Sequence, residues 1–108
     1  MDLDTAQWIG RSICREDQVT QRLLAEYRAT LAPFLFESEE AVCPPGLHFA
    51  LAPATPAAED AGPDGAERKG LFLPPIPLPR RMWAGGMIET MRPMRLGARV
   101  KRTTTITD

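Results

Sequence analysis

The sequence predicts an α+β fold: one amphipathic helix packed on antiparallel strands, with a long proline- and glycine-rich connection between them. Three observations carry that reading. Apolar residues at Val19, Leu23, Leu24, Tyr27 and Leu31 recur at helical spacing. Near the end of the chain, Val100, Thr104 and Ile106 alternate with Arg99, Lys101, Thr103 and Thr105, the period of a half-buried strand. Between them, residues 70–86 hold Pro74, Pro75, Pro77 and Pro79, which fix φ at roughly −65° and remove backbone donors. The first half of that stretch can be neither helix nor central strand.

Taken in order, Asp4 caps a short helical turn over residues 5–9, stopped by Gly10, with Trp8 and Ile9 as its buried face. Residues 12–15 make a short extended segment. Asp17 or Thr20 caps the long helix, and Pro33 ends it near Leu31. Arg22 and Glu26 stand on its polar face as an i,i+4 pair. Phe34, Leu35 and Phe36 are apolar, and Glu37, Glu39 and Glu40 mark a surface turn. After the break at Cys43-Pro44-Pro45-Gly46, residues 47–51 form a short buried strand or an extended piece. His48 is the chain's one histidine and sits among apolar neighbours, which favours a structural over a catalytic role.

Residues 52–69 are mostly Ala, Pro, Gly, Asp and Glu with little to bury, the composition of a mobile surface loop. Residues 87–92 read as a strand, 94–97 as a turn and 99–107 as a better strand, so the chain closes on a hairpin. One helix and a late hairpin leave a sheet edge and an apolar face uncovered. The 108 residues are therefore expected to form one unit, incomplete by itself. Further chain after Asp108 or another subunit would supply the missing strands.

Composition narrows the partners. At 44% hydrophobic and 25% charged residues the chain is ordinary for a globular protein. No apolar run suits a membrane span, and no signal peptide opens the sequence. Cys14 and Cys43 are too few for a disulfide scaffold, and no Cys/His spacing resembles a metal site. A reducing cytoplasm, or an organelle matrix, is the expected compartment. The net charge of −1 hides an asymmetry: residues 1–70 carry twelve acidic and six basic side chains, residues 71–108 two acidic and seven basic. The cationic end suits an anionic ligand, or else the two ends neutralise each other across the fold. Aromatic residues are not interleaved with Arg99, Lys101 and Arg102, which argues against nucleic acid.

The proline stretch holds the candidate site. Phe72, Leu73, Ile76 and Leu78 ride on a stiff polyproline-like rod that can lie on an apolar surface at little entropic cost. The rod delivers Arg80, Arg81, Met82 and Trp83 to Gly85 and Gly86, where backbone can bend sharply or approach a ligand closely. Two readings remain open: a loop covering a sheet edge, with Arg80 and Arg81 pinning it by binding carbonyls, or a substrate gate. In the second, paired guanidiniums take phosphate or carboxylate beside an indole. A role as ligand for an aromatic-lined partner domain fits less well, because the apolar residues between the prolines favour burial.

Trp8-Ile9-Gly10-Arg11, the helix through Leu31, Pro44-Pro45-Gly46-Leu47-His48-Phe49, the run from Phe72 through Gly86, and Pro93-Met94-Arg95-Leu96-Gly97 together resemble one family over nearly the whole chain. It is the N-terminal half of the MaoC-like, fungal fatty-acid-synthase-type dehydratases, which includes mesaconyl-C4-CoA (itaconyl-CoA type) hydratases and 3-hydroxyacyl-thioester dehydratases. The resemblance implies a partial hot-dog fold, a helix wrapped by an antiparallel sheet. It implies an acyl thioester of coenzyme A or acyl carrier protein as substrate (acyl-CoA foremost), no cofactor, and a second hot-dog unit as partner, in tandem or as a separate subunit, with a dimer as the expected assembly. It also implies hydro-lyase chemistry from an Asp-x-Asn-Pro-x-His-like run in that second unit. This sequence contains no asparagine, and no aspartate stands at the required spacing from His48. The resemblance therefore assigns no catalytic residue here, and expects Arg80, Arg81, Trp83 and Gly86 to contact substrate. A non-catalytic acyl-CoA-binding or oligomerisation module is the alternative.

Overall fold

The structure, a computed structural model, describes residues 4–37 and 39–108. Its sheet joins segments far apart in the chain. Strand β1 (Ser12–Gln18) pairs with strand β2 (Arg99–Thr105). The register is antiparallel and unbroken: Ser12 Oγ meets Thr105 Oγ1 at 3.1 Å, Thr103 Oγ1 donates to Cys14 Sγ at 3.7 Å, and Lys101 Nζ stands 3.9 Å from Glu16 Oε1. Backbone bonds extend it at both ends, from Ile106 N–H to Arg11 O (2.9 Å) and from Val19 N–H to Ala98 O (2.9 Å). Side chains alternate across it, so Ile13, Arg15 and Asp17 of β1 and Val100 and Thr104 of β2 are half-buried.

The expected late hairpin is not formed. Residues 87–92 make no strand; Met87, Ile88 and Met91 are 84%, 59% and 88% exposed. Their apolar residues do not alternate, so no face of an extended segment there could be buried whole. β2 pairs instead with β1, which runs to Gln18, three residues beyond the segment expected from the sequence.

The chain divides into two compact units. Residues 15–53 and 86–102 make one, and it holds the core. Helix α1 (Gln21–Leu31) starts at Thr20, whose hydroxyl accepts from Leu23 N–H at 3.1 Å and satisfies an otherwise orphan donor. Asp17, the other candidate cap, instead accepts from the backbone of Gln18 and of Ala52, both at 2.7 Å. Leu24 of the helix packs with Val19, Cys43, Leu47 and Leu51, with Tyr27, Ala98 and Val100 partly buried around them. Leu31, the last residue of the apolar stripe, remains 38% exposed. Residues Leu47–Ala50 are neither strand nor extended but a 3₁₀ turn, entered through Gly46 at φ 98°. Only a left-handed glycine turns the chain sharply enough after Pro44-Pro45 to bury Leu47 and Leu51 from so short a run.

Residues 4–14, 54–85 and 103–108 make the other unit. Asp4 Oδ1 accepts from Ala6 N–H at 3.1 Å at the start of a 3₁₀ turn, Ala6–Trp8. The expected buried face of that turn is only half realised. Trp8 is half-buried under the Arg11 guanidinium, 4.3 Å from its ring, while Ile9 is 51% exposed. A three-residue turn is too short to present both side chains to one surface. Residues 52–69 carry a further 3₁₀ turn at Ala58–Asp60 and a bridge between Ala61 and Glu67. No helix among the described residues is long and apolar enough to cross a membrane.

Candidate functional site

A cavity of about 380 Å³ opens beside the proline rod, within the range of small-ligand sites. Leu73, Ile76 and Leu78 from the rod and Ile106 beyond β2 give it aliphatic walls, and Lys69, Arg80, Arg81 and Asp108 give it charge. Its shape follows from the prolines. A residue before proline is held extended, and the carbonyls of Ile76 and Leu78 have no ladder to join. Lys69 satisfies them: its Nζ donates to Ile76 O at 2.9 Å and also to Leu78 O. Gly70 N–H closes the rod's start on Leu73 O at 2.7 Å. At the other end Arg81 Nη2 donates to Glu67 O at 3.0 Å.

The residues expected to contact substrate thus divide. Arg80 and Arg81 both line the cavity, and Arg81 has committed one donor to holding the neighbouring loop, as the carbonyl-pinning reading expects. Trp83 is in the same unit, 76% exposed, and does not line the cavity. Gly86 is exposed and belongs to the other unit. Lys69 and Ile106 were not anticipated. The sequence signal for Lys69 was its place at the head of a run of carbonyls that prolines leave unpaired; Ile106 was visible only as one inward residue of a strand.

His48 stacks on Phe49 with ring centroids 4.2 Å apart, belongs to the 3₁₀ turn over the core, and is not among the cavity's lining residues. Among the described residues no group of three histidine, cysteine or acidic side chains is placed to hold a metal ion. The cavity brings an apolar surface and cationic groups to one place. Such a lining is chemically suited to an anionic group on a short apolar body, and it contains no histidine.

A helix laid on long antiparallel strands, with an irregular proline-rich excursion, defines a partial hot-dog fold. The chain belongs to the hydroxyacyl-thioester dehydratase type 2 family, whose pattern matches residues 46–108. It is 36% identical over 101 residues to the mesaconyl-C(4)-CoA hydratase of Chloroflexus aurantiacus, an alignment covering 92% of this chain. The aligned part is 36% of that relative's length, so the chain spans about a third of the curated protein it matches.

Proposed function

We propose that this chain is a hydratase or dehydratase unit for acyl-CoA thioesters, one that shapes the acyl pocket while a second hot-dog unit supplies the catalytic aspartate and histidine. The observation that carries the reading is the cavity beside the proline rod: aliphatic walls, cationic groups, and no histidine in its lining. Adding water across an α,β double bond needs a base at Cβ, an acid at Cα and a donor for the thioester oxyanion. A C–O bond to water forms at Cβ and a C–H bond at Cα as the π bond is lost, with no net oxidation or reduction, so no redox cofactor enters the scheme. The activity in the relative's name supports a CoA thioester as substrate, and the open edge of a two-stranded sheet supports a partner that completes it. Such a pair belongs in the cytoplasm, where acyl-CoA pools are met.

The test is reconstitution. The purified chain is mixed with a catalytic hot-dog unit of this family, and hydration of an unsaturated acyl-CoA is followed by the loss of enoyl-thioester absorbance. A rate above that of the catalytic unit alone is expected; no gain overturns the reading. Tight binding of CoA esters without turnover in any pairing would instead identify a non-catalytic binding or oligomerisation module.

A further inference from the structure

A second, smaller cavity of about 230 Å³ lies in the unit that holds the core, lined by Phe36, Glu37, Val42, Cys43, Pro45 and Pro93. Two segments meet there. Cys43 N–H donates to Met94 O at 2.8 Å and Leu96 N–H to Ala41 O at 2.9 Å, around a bridge between Val42 and Arg95. The first segment is acidic. Arg28 neutralises Glu37, and its guanidinium also donates to Val42 O at 3.3 Å and Glu39 O at 3.4 Å. Glu39 and Glu40 are exposed and pair with no cation among the described residues. The second segment is basic. Arg92 and Arg95 are exposed and pair with no carboxylate among the described residues, and Glu89 offsets only one of them.

Apolar side chains accompany both segments. Phe36 is 85% exposed, and Phe34 and Met91, two residues before Phe36 and Pro93, are each 88% exposed. Aromatic residues, methionine and arginine gathered about one cavity are the composition of an interface. The acidic and basic segments lie side by side on one chain, so a twofold rotation sets each against its opposite on a second copy. We infer that this face is an isologous contact between two copies of the chain: Glu39 and Glu40 of each face Arg92 and Arg95 of the other, with Phe34, Phe36 and Met91 buried between. The contact uses neither strand. It stands apart from the sheet edge that a catalytic unit would extend, and it does not rest on the acyl-thioester reading.

Charge reversal tests the pairing. Sedimentation equilibrium follows the mass of the full chain, of a Glu39→Lys/Glu40→Lys chain, of an Arg92→Glu/Arg95→Glu chain, and of the two variants mixed. The wild-type chain reaches the mass of two copies and no more as its concentration rises. Either reversal sets like charge against like and raises the dimer dissociation constant at least about tenfold. Mixing the two variants restores a dimer, because each reversed segment then meets its complement on the other chain. The wild-type dimer also loosens as salt rises, a measurement that needs no variant. A chain that stays monomeric overturns the inference, and so does a mass that climbs past two copies. A dimer indifferent to salt and to both reversals overturns it too, and assigns association to the sheet edge. Variants that dissociate, keep the wild-type circular dichroism and fail to rescue each other show that the two segments do not face one another.

Discussion

The hydroxyl of Tyr27 fills the space a side chain at Gly46 would enter: a Cβ on Gly46 would lie 2.6 Å from Tyr27 Oη and 3.9 Å from its Cζ. Gly46 also holds φ 98°, so the position is closed to other residues for two separable reasons. A left-handed backbone costs a non-glycine residue about 1–2 kcal/mol. Gly46→Ala should therefore destabilise the wild-type chain by more than about 2 kcal/mol, and the Tyr27→Phe chain, which lacks the obstructing oxygen, by about 1–2 kcal/mol. Urea denaturation of the four chains in the cycle measures the difference. Equal costs in both backgrounds would mean the ring moves aside freely.

Asp17 ties two turns together. The Ala52 N–H, then the Gln18 N–H, hold its carboxyl below the ordinary value of 3.8, with slight burial acting the other way. Because the folded pKa lies below the unfolded one, the folded chain binds fewer protons in this range. The stabilisation is present above about pH 3.8 and is lost as the pH falls through the lower, folded value. Asp17→Ala should remove this step from the acid limb of a stability profile. An unchanged profile would show that the bonds to Ala52 and Gln18 are not kept in solution.

The two thiols should report the core independently. Cys14 is exposed on β1, whereas Cys43 is buried and burial pushes its thiol above the usual value of 9.0, partly offset by the Arg28 charge. Alkylation of the native chain near neutral pH should modify Cys14 at least about tenfold faster than Cys43, and in denaturant the two rates should converge. Mass spectrometry of the timed products decides it; matched native rates would place Cys43 in contact with solvent.

Lys69→Met keeps the stem that packs beside the rod and removes its ammonium. The carbonyls of Ile76 and Leu78 then turn to water, and the turn bonded through Gly70 N–H loses its anchor. Amide exchange at Gly70 should accelerate several-fold while Leu24 and Val19, in the other unit, exchange as before. If Gly70 stays protected, the prolines alone hold the rod.

What the sequence made legible follows from physical range. The helix was readable because Thr20, the stripe and Pro33 act within a few residues of one another. β2 was readable from its own alternation. Its partner was not: β1 turns Arg15 and Asp17 toward the half-buried side, which hides the alternation, and the rungs joining the strands span up to 93 residues. The run from Leu47 to Leu51 is apolar apart from His48, and such a run cannot be told from a buried turn by periodicity. At the site, the prolines and Arg80 stood out in the sequence, but the commitment of Lys69 and Arg81 to carbonyls depends on loop geometry that no local pattern encodes.

The pairing of Ser12 with Thr105 also sets a timetable for the newborn polypeptide. At about 5–20 residues per second on the ribosome, the first strand waits roughly 5–20 seconds for its mate to be synthesised. Until then the core around Val19, Leu24, Leu47 and Leu51 lacks Ala98 and Val100 at its side, and the surface they cover is open to chaperones or to a neighbouring nascent chain.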